Sequence, residues 1–234
     1  MHPPENHSFE RYRETLEALV LPVFGARAPG TPFIVALEGP NGAGKTTLCA
    51  GLGGSLGAPS CLGTDSAWCA QAFKTRMIRD AEWFASAMFF LSGCFEQVRG
   101  LCSSGAPLVI MDRSLWSTLA VHAAERIQRL GAILTMLRPI ATEIRVPDLT
   151  LVLEASFETC QTRISQKVGV ARALDALTAT QGFYNREREF YRWLGRQVPT
   201  VRFLNVDTLR AEEALTAALA LVRGVEKDGA NGRG

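Results

Sequence analysis

The sequence predicts a three-layer α/β/α domain on a doubly wound, parallel sheet of about five strands. Three observations predict it. Short apolar runs without alternation recur along the chain, which is the pattern of strands buried on both faces. A segment with helical spacing follows each run, so strands and helices alternate and the crossovers are right-handed. The first run leads at once into a glycine-rich turn that opens a helix, an arrangement suited to phosphate.

The elements follow in order. Ser8 is placed to cap a first helix over Phe9–Val20, with Phe9, Tyr12, Leu16, Leu19 and Val20 at helical spacing. Pro22 and the stretch Gly25–Pro32 break it. Phe33–Leu37 is the first strand, and Lys45–Leu56 the helix after it. A weak second strand is expected at Pro59–Leu62, then helices over 66–79 and 82–103. Pro107–Met111 is the third strand, ending at Asp112, and a single long helix is expected over 115–137. Leu149–Leu153 is the fourth strand, with helices over 156–166 and 178–195 beyond it. Thr200–Val206 and Ala211–Val222 are the last strand and helix. Residues 1–30 are therefore expected to form an extension with one helix, 31–224 the domain, and 225–234 a flexible tail.

Composition narrows the function. Of 234 residues 47% are apolar and 21% charged, enough to build a core and too little charge for wholesale disorder. The 25 basic and 23 acidic residues leave a net charge of only +2, which opposes a dedicated nucleic-acid binder. No run is long enough to span a membrane, and the polar segment Met1–Glu10 lacks an apolar stretch, so no secretory signal is expected. The six cysteines show no Cys-x-x-Cys spacing and are expected to be reduced, as in a cytoplasmic protein.

The chemistry starts at Gly39-Pro40-Asn41-Gly42-Ala43-Gly44-Lys45-Thr46, with Thr47 next, which fits G-x-x-x-x-G-K-[ST] without mismatch. Glycines let backbone N–H groups turn inward around a phosphate, and the helix N-terminus adds partial positive charge. Lys45 is expected to reach the β- and γ-phosphates and Thr46 to ligate Mg²⁺. Only four lysines stand against 21 arginines, so a lysine here is not background. Asp112 and Arg113 end the third strand, in the crevice where open α/β sheets bind ligands. Asp112 is read as supporting Mg²⁺ or accepting a proton, or else as a plain helix cap; Arg113 is suited to hold a phosphate or carboxylate bidentately.

An ATPase of the ABC type is disfavoured because the strand ends Asp-Arg and lacks the Glu that would activate water. A GTPase is disfavoured because no Asn-Lys-x-Asp motif occurs. Asp65 can serve as general base for a hydroxyl acceptor or simply cap the next helix, since Asp-Ser-Ala-Trp suits a cap. Trp68, Trp83, Phe89 and Trp116 could wall an aromatic pocket or belong to the core. His122 is read chiefly as a hydrogen-bonding residue of its helix.

From about residue 33 to 222 the chain resembles the thymidylate kinase-like branch of the P-loop nucleoside monophosphate kinases. Phe33-Ile-Val-Ala-Leu-Glu-Gly39 is similar to that family's first strand, and Asp112-Arg113 with Ser117 and Ala120 to its Asp-Arg-Tyr…Ser…Ala-Tyr-Gln stretch. Pro147–Glu154, Arg163, Phe183…Arg186…Arg188…Tyr191 and Leu204–Asp207 follow in the family's order. The resemblance implies a P-loop NTPase fold of the nucleotide kinase type. It also implies ATP and Mg²⁺ as cofactors, a lid near 167–176, and Arg163, Lys167 and less securely Arg172 as lid-side cations. Expected partners are ATP and a small nucleotide or nucleoside acceptor, without nucleic acid or membrane and with room for a homodimer.

The departures concern the acceptor. Where the family has Arg-Glu-Pro after the second strand this chain has Gly63–Trp68, and Ser92-Gly93-Cys94 replaces Ala-Asp-Arg. Two acceptor-phosphate arginines are thus missing. Asp112-Arg113-Ser114 is similar to the Glu-Arg-Ser of deoxynucleoside kinases, as Asp65 and Trp68 are to the acid and Trp those carry after strand two. The resemblance implies a nucleoside monophosphate such as dTMP as acceptor; a nucleoside or another hydroxyl compound is the alternative. A nucleotide-binding protein without catalysis is the reading from a different class.

Overall fold

Strand β1, Phe33–Glu38, is the centre of the sheet. It pairs in parallel with β3, Leu108–Asp112, and with β4, Leu149–Glu154, so that Val35 lies opposite Ile110 on one side and Leu149 on the other. The edges are β2, Ser60–Leu62, beside β3, and β5, Val201–Asn205, beside β4. The order is β2-β3-β1-β4-β5, all parallel. These strands belong to a computed structural model that describes residues 8–20, 30–64, 69–167 and 180–231, with backbone alone at 19–20 and 226–231.

Residues one apart on a strand face opposite sides, and both sides here are apolar. Ile34, Ala36, Val109 and Met111 face one core, with α4 (Trp83–Cys102), α5 (Leu115–Glu125), α6 (Ile127–Leu137) and α8 (Gln181–Gln197). Val35, Leu37, Ile110, Leu151 and Leu153 face the other, with α2 (Lys45–Leu56), α7 (Phe157–Ser165) and α9 (Ala211–Asn231). The expected three-layer α/β/α fold is what forms.

Four details correct the expectations. The segment expected as one helix over 115–137 is two helices, because Arg126 adopts an extended conformation (φ −156°, ψ 117°). The apolar stripe runs through the break, which hides it from the sequence. The turn lets Leu130, Ile133 and Leu134 bury with Leu16 of α1, Arg13–Val20. The helix expected from residue 66 begins at Gln71 as α3, Gln71–Arg79. The N-terminal segment packs on the core: in the 3-10 turn before α1 the Phe9 ring stacks on Trp193 at 5.6 Å and meets Phe190 edge-on at 5.8 Å. The tail expected from residue 225 is helical to Asn231, since Glu226 and Lys227 are good helix formers. None of the six cysteines is in a disulfide, as expected.

Candidate active site

The turn after β1 is shaped by its glycines. Gly39 has φ +121°, and a Cβ there would stand 2.5 Å from the Leu153 carbonyl oxygen of β4. Gly42 has φ +86°, and its Cβ would collide with the Cys160 backbone of α7. No L-residue suits either position, so the loop backbone lies flush against β4 and α7, and it turns tightly enough for the Ala43 N–H to donate to the Pro40 carbonyl at 3.2 Å.

Lys45 opens α2 and is 5% exposed. Its ammonium donates to the carbonyl oxygens of Gly39 and Pro40, both at 2.7 Å. Burial, with the Arg113 charge, pushes its pKa down to about 7. Thr46 is next, and its hydroxyl donates to Asp112 Oδ2 at 2.5 Å. The other Asp112 oxygen, Oδ1, is buried without a hydrogen-bond partner. A hydroxyl and a carboxylate with a spare lone pair are hard oxygen donors of the kind Mg²⁺ takes, so Thr46 and Asp112 fit that ion. Sequence reasoning paired these two residues, and the structure joins α2 to the end of β3 through them.

Arg113 holds an unusual backbone. At φ +75° it is the one left-handed non-glycine among the described residues, a conformation that costs roughly 1–3 kcal/mol. The Arg113 N–H bonds the Leu37 carbonyl at 3.0 Å, which directs the half-buried side chain back over the loop. There Nη2 donates to Asn41 Oδ1 and Nη1 to Ser117 Oγ at 3.2 Å. Burial works against its charge, but Tyr191, Glu187, Asp112 and Glu38 outweigh it and hold the pKa above the ordinary arginine value.

Two further carboxylates belong to the site, and sequence reasoning assigned neither a role. Glu38, fully buried at the end of β1, accepts from the Ser114 N–H at 2.7 Å and the Ser114 hydroxyl at 2.6 Å on Oε1. On Oε2 it accepts from the Ser117 hydroxyl and from Tyr191 Oη at 3.0 Å. Burial raises its pKa, and the serine bonds and Arg113 work in the other direction. Glu38 therefore ties β1, the β3–α5 turn and α8 together, and it fixes the serine that holds Arg113. The motif gave a signal of sorts, since a glutamate closing an apolar strand is out of pattern. Glu187 of α8 is 4% exposed and lines a recess with Pro40, Asn41, Cys160 and Tyr184. Burial raises its pKa against the pull of Lys45 and Arg113. Its signal is a charged residue on the buried stripe Phe183, Tyr184, Glu187, Phe190, Tyr191.

The remaining candidates are dispersed. Arg163 of α7 donates to the backbone carbonyls of Ala43 (3.4 Å) and Val206 (3.0 Å), which puts it behind the loop, bridging it to the end of β5. Lys167 lies just past α7, its N–H bonded to Ile164 O. Asp65, Trp68 and Arg172, with most of the lid at 167–176, lie outside the described residues. Trp116 is core at 1% exposure, Phe89 is buried, and Trp83 stands half-buried beside the buried His122. Arg76 and Arg79 on α3 are exposed.

A family model described as an AAA domain matches residues 34–182, which take in the loop, β3 and β4. The chain belongs to the AAA domain family. Among solved structures this AAA domain is similar to a thymidylate kinase from Candida albicans, with TM-score 0.67 and 18% identity over 84% of this chain and 93% of that one. It is similar as well to a deoxyadenosine kinase from M. mycoides with bound dATP, with TM-score 0.63 and 15% identity over 81% of this chain and 99% of that one. The same deoxyadenosine kinase with the products dCMP and dCDP matches at TM-score 0.63 and 16% identity. No curated protein matches by sequence. At these identities the likeness is one of fold, and it agrees with the resemblance drawn from the motifs.

Proposed function

We propose that this AAA domain is an ATP-dependent kinase that transfers the γ-phosphoryl group to a small nucleoside-type acceptor. The observation that carries the reading is the junction of Lys45, Thr46, Asp112 and Arg113 at the carboxyl ends of β1 and β3. Phosphoryl transfer asks a protein for positioning and charge more than for covalent chemistry. Loop N–H groups and Lys45 would hold the phosphates, the lysine exchanging its two loop carbonyls for phosphate oxygens. Thr46 and the unpartnered oxygen of Asp112 would hold Mg²⁺, which when bound supplies charge neutralisation between the phosphates. Arg113, aimed by Asn41 and Ser117, would meet the acceptor or the transferring group. Lys167 and the basic lid would close from the other side, with Arg163 bracing the loop from behind.

The resemblance points to a nucleoside monophosphate such as dTMP as acceptor. A second reading, a nucleoside hydroxyl, is supported by the placement of the arginines weighed for the acceptor: Arg76 and Arg79 of α3 are exposed, Arg188 and Arg192 pair with Glu154 at the end of β4, and Arg113 is the one held over the loop by Asn41 and Ser117. A dianionic acceptor would need more than that. Lys45→Ala tests the parent reading. Losing about 3–4 kcal/mol of transition-state stabilisation should cut acceptor-dependent ADP release by roughly 10²–10³ with folding intact. Near-normal turnover in that variant would end the proposal, and nucleotide binding without ADP release for any acceptor would favour a non-catalytic binding protein.

A further inference from the structure

Three carboxylates surround the phosphate loop, and they differ in what already satisfies them. Glu38 has four donors and no capacity left for a ligand. Asp112 has one oxygen on the Thr46 hydroxyl and the other beside it without a partner, a pair suited to a cation. Glu187 is the third case. It is 4% exposed, and among the described residues it makes no hydrogen bond and no ion pair. A buried charge left like this is expensive, so its place needs a reason in the working site.

Its surroundings supply one. The recess it lines is shared with Pro40 and Asn41, whose oxygens hold Lys45 Nζ and Arg113 Nη2 respectively. The carboxylate therefore stands beside the two cations that the kinase reading gives to the transferring phosphoryl group. The titratable and charged groups around it are Lys45 of α2, Arg113 after β3, Glu38 of β1 and Tyr191 one turn along its own helix, with Cys160 of α7 and Tyr184 in the recess. None of them donates a hydrogen bond to it. What such a group can take is a donor carried in by the substrate. A dianionic phosphate cannot be that donor, because it carries no proton to give and its charge repels the carboxylate. A hydroxyl can.

We propose that Glu187 receives the hydroxyl of the phosphoryl acceptor and takes its proton during transfer. The proposal rests on the kinase reading above and narrows its acceptor. In the step, the acceptor oxygen forms a bond to the γ-phosphorus of ATP, and the bond from that phosphorus to the bridging oxygen breaks. ADP leaves with the electron pair, and the hydroxyl proton ends on the Glu187 carboxylate. Glu187 replaces Asp65 as the base, and the products are a phosphomonoester and ADP.

The test uses the full chain with Mg·ATP and two acceptor panels, nucleosides and their monophosphates, scored by coupled ADP release. A nucleoside should turn over. Glu187→Gln should lower kcat by on the order of 10²–10⁴, while affinity for a non-hydrolysable ATP analogue stays within about threefold. The rise of wild-type activity with pH through the Glu187 ionisation should disappear in that variant, and Asp65→Asn should be the milder lesion. Glu187→Gln is isosteric, and circular dichroism with thermal unfolding should show it native at the assay temperature, so a loss of activity cannot be put down to misfolding. Phosphorylation of monophosphates with nucleosides inert overturns the inference and leaves the kinase standing. So does a greater loss in Asp65→Asn, or an effect of Glu187→Gln confined to ATP affinity, which would make it only a partner for Lys45. ATP binding with no ADP release from either panel overturns the kinase reading and this inference with it.

Discussion

Ser117→Ala tests whether the Glu38 cluster holds Arg113. The Ser117 hydroxyl donates a hydrogen bond to Glu38 Oε2 and accepts one from the Arg113 guanidinium at 3.2 Å, so one substitution cuts both links. A hydrogen bond to a buried carboxylate is worth about 1.5–3 kcal/mol, and the alanine returns roughly 0.5 kcal/mol through its helix propensity in α5. The net loss is about 2 kcal/mol, which for a chain of this size lowers the Tm by roughly 4–8 °C. The pH dependence has a definite sign. The Ser117 bond lowers the Glu38 pKa, so without it the folded-state pKa climbs further. Stability supplied by a pKa-lowering bond is full when the carboxylate is ionised and fades as pH falls through its folded pKa. Urea unfolding followed by circular dichroism should show the largest gap between wild type and variant near pH 8, shrinking toward pH 5. Turnover should fall as well, by roughly tenfold or more if Arg113 loses its aim. An unchanged midpoint, or a gap that is the same at both pH values, would refute the carboxylate-centred account of this cluster.

Two other predictions follow from the same geometry. Lys45 is held down at about 7 by burial, and phosphate favours its charged form, so ATP affinity should weaken as pH rises above neutrality and binding should take up a proton. Calorimetry at pH 8 in buffers of different ionisation enthalpy measures that uptake, and a buffer-independent heat contradicts it. Phe9→Ala should cost about 3–5 kcal/mol, because the ring is buried against Phe190 and Trp193. Full stability after that change would restore the view of residues 1–30 as a mere extension.

The sheet and the phosphate loop were legible because their signals are local. A buried parallel strand shows as an unbroken apolar run, and a loop that wraps phosphate needs its glycines and lysine at fixed spacing. Asp112 and Arg113 were legible for the same reason, since they end such a run. What stayed hidden depends on contacts across long stretches of sequence. The Arg126 break lies within an apolar stripe that one straight helix would carry equally well. Phe9 showed only as an apolar position of a first helix, because its partners are some 180 positions away. Arg163 is a lid-side cation by family resemblance, and the bonds of its guanidinium to the Ala43 and Val206 carbonyls could not be read from sequence, because only the fold brings those segments together.

Glu38 and Glu187 make the point most sharply. Each interrupts an apolar pattern, and each is a buried acid whose meaning depends on what surrounds it. Four donors from Ser114, Ser117 and Tyr191 make Glu38 a structural junction, which positions the arginine without touching a ligand. Among the described residues no donor faces Glu187, which makes it the opposite, a carboxylate that the fold retains at the point where two cations meet the loop. Two similar interruptions in the sequence thus carry contrary chemistry. Where an acid breaks an apolar stripe in such a fold, the number of donors facing it separates a group that holds the site together from one waiting for a substrate.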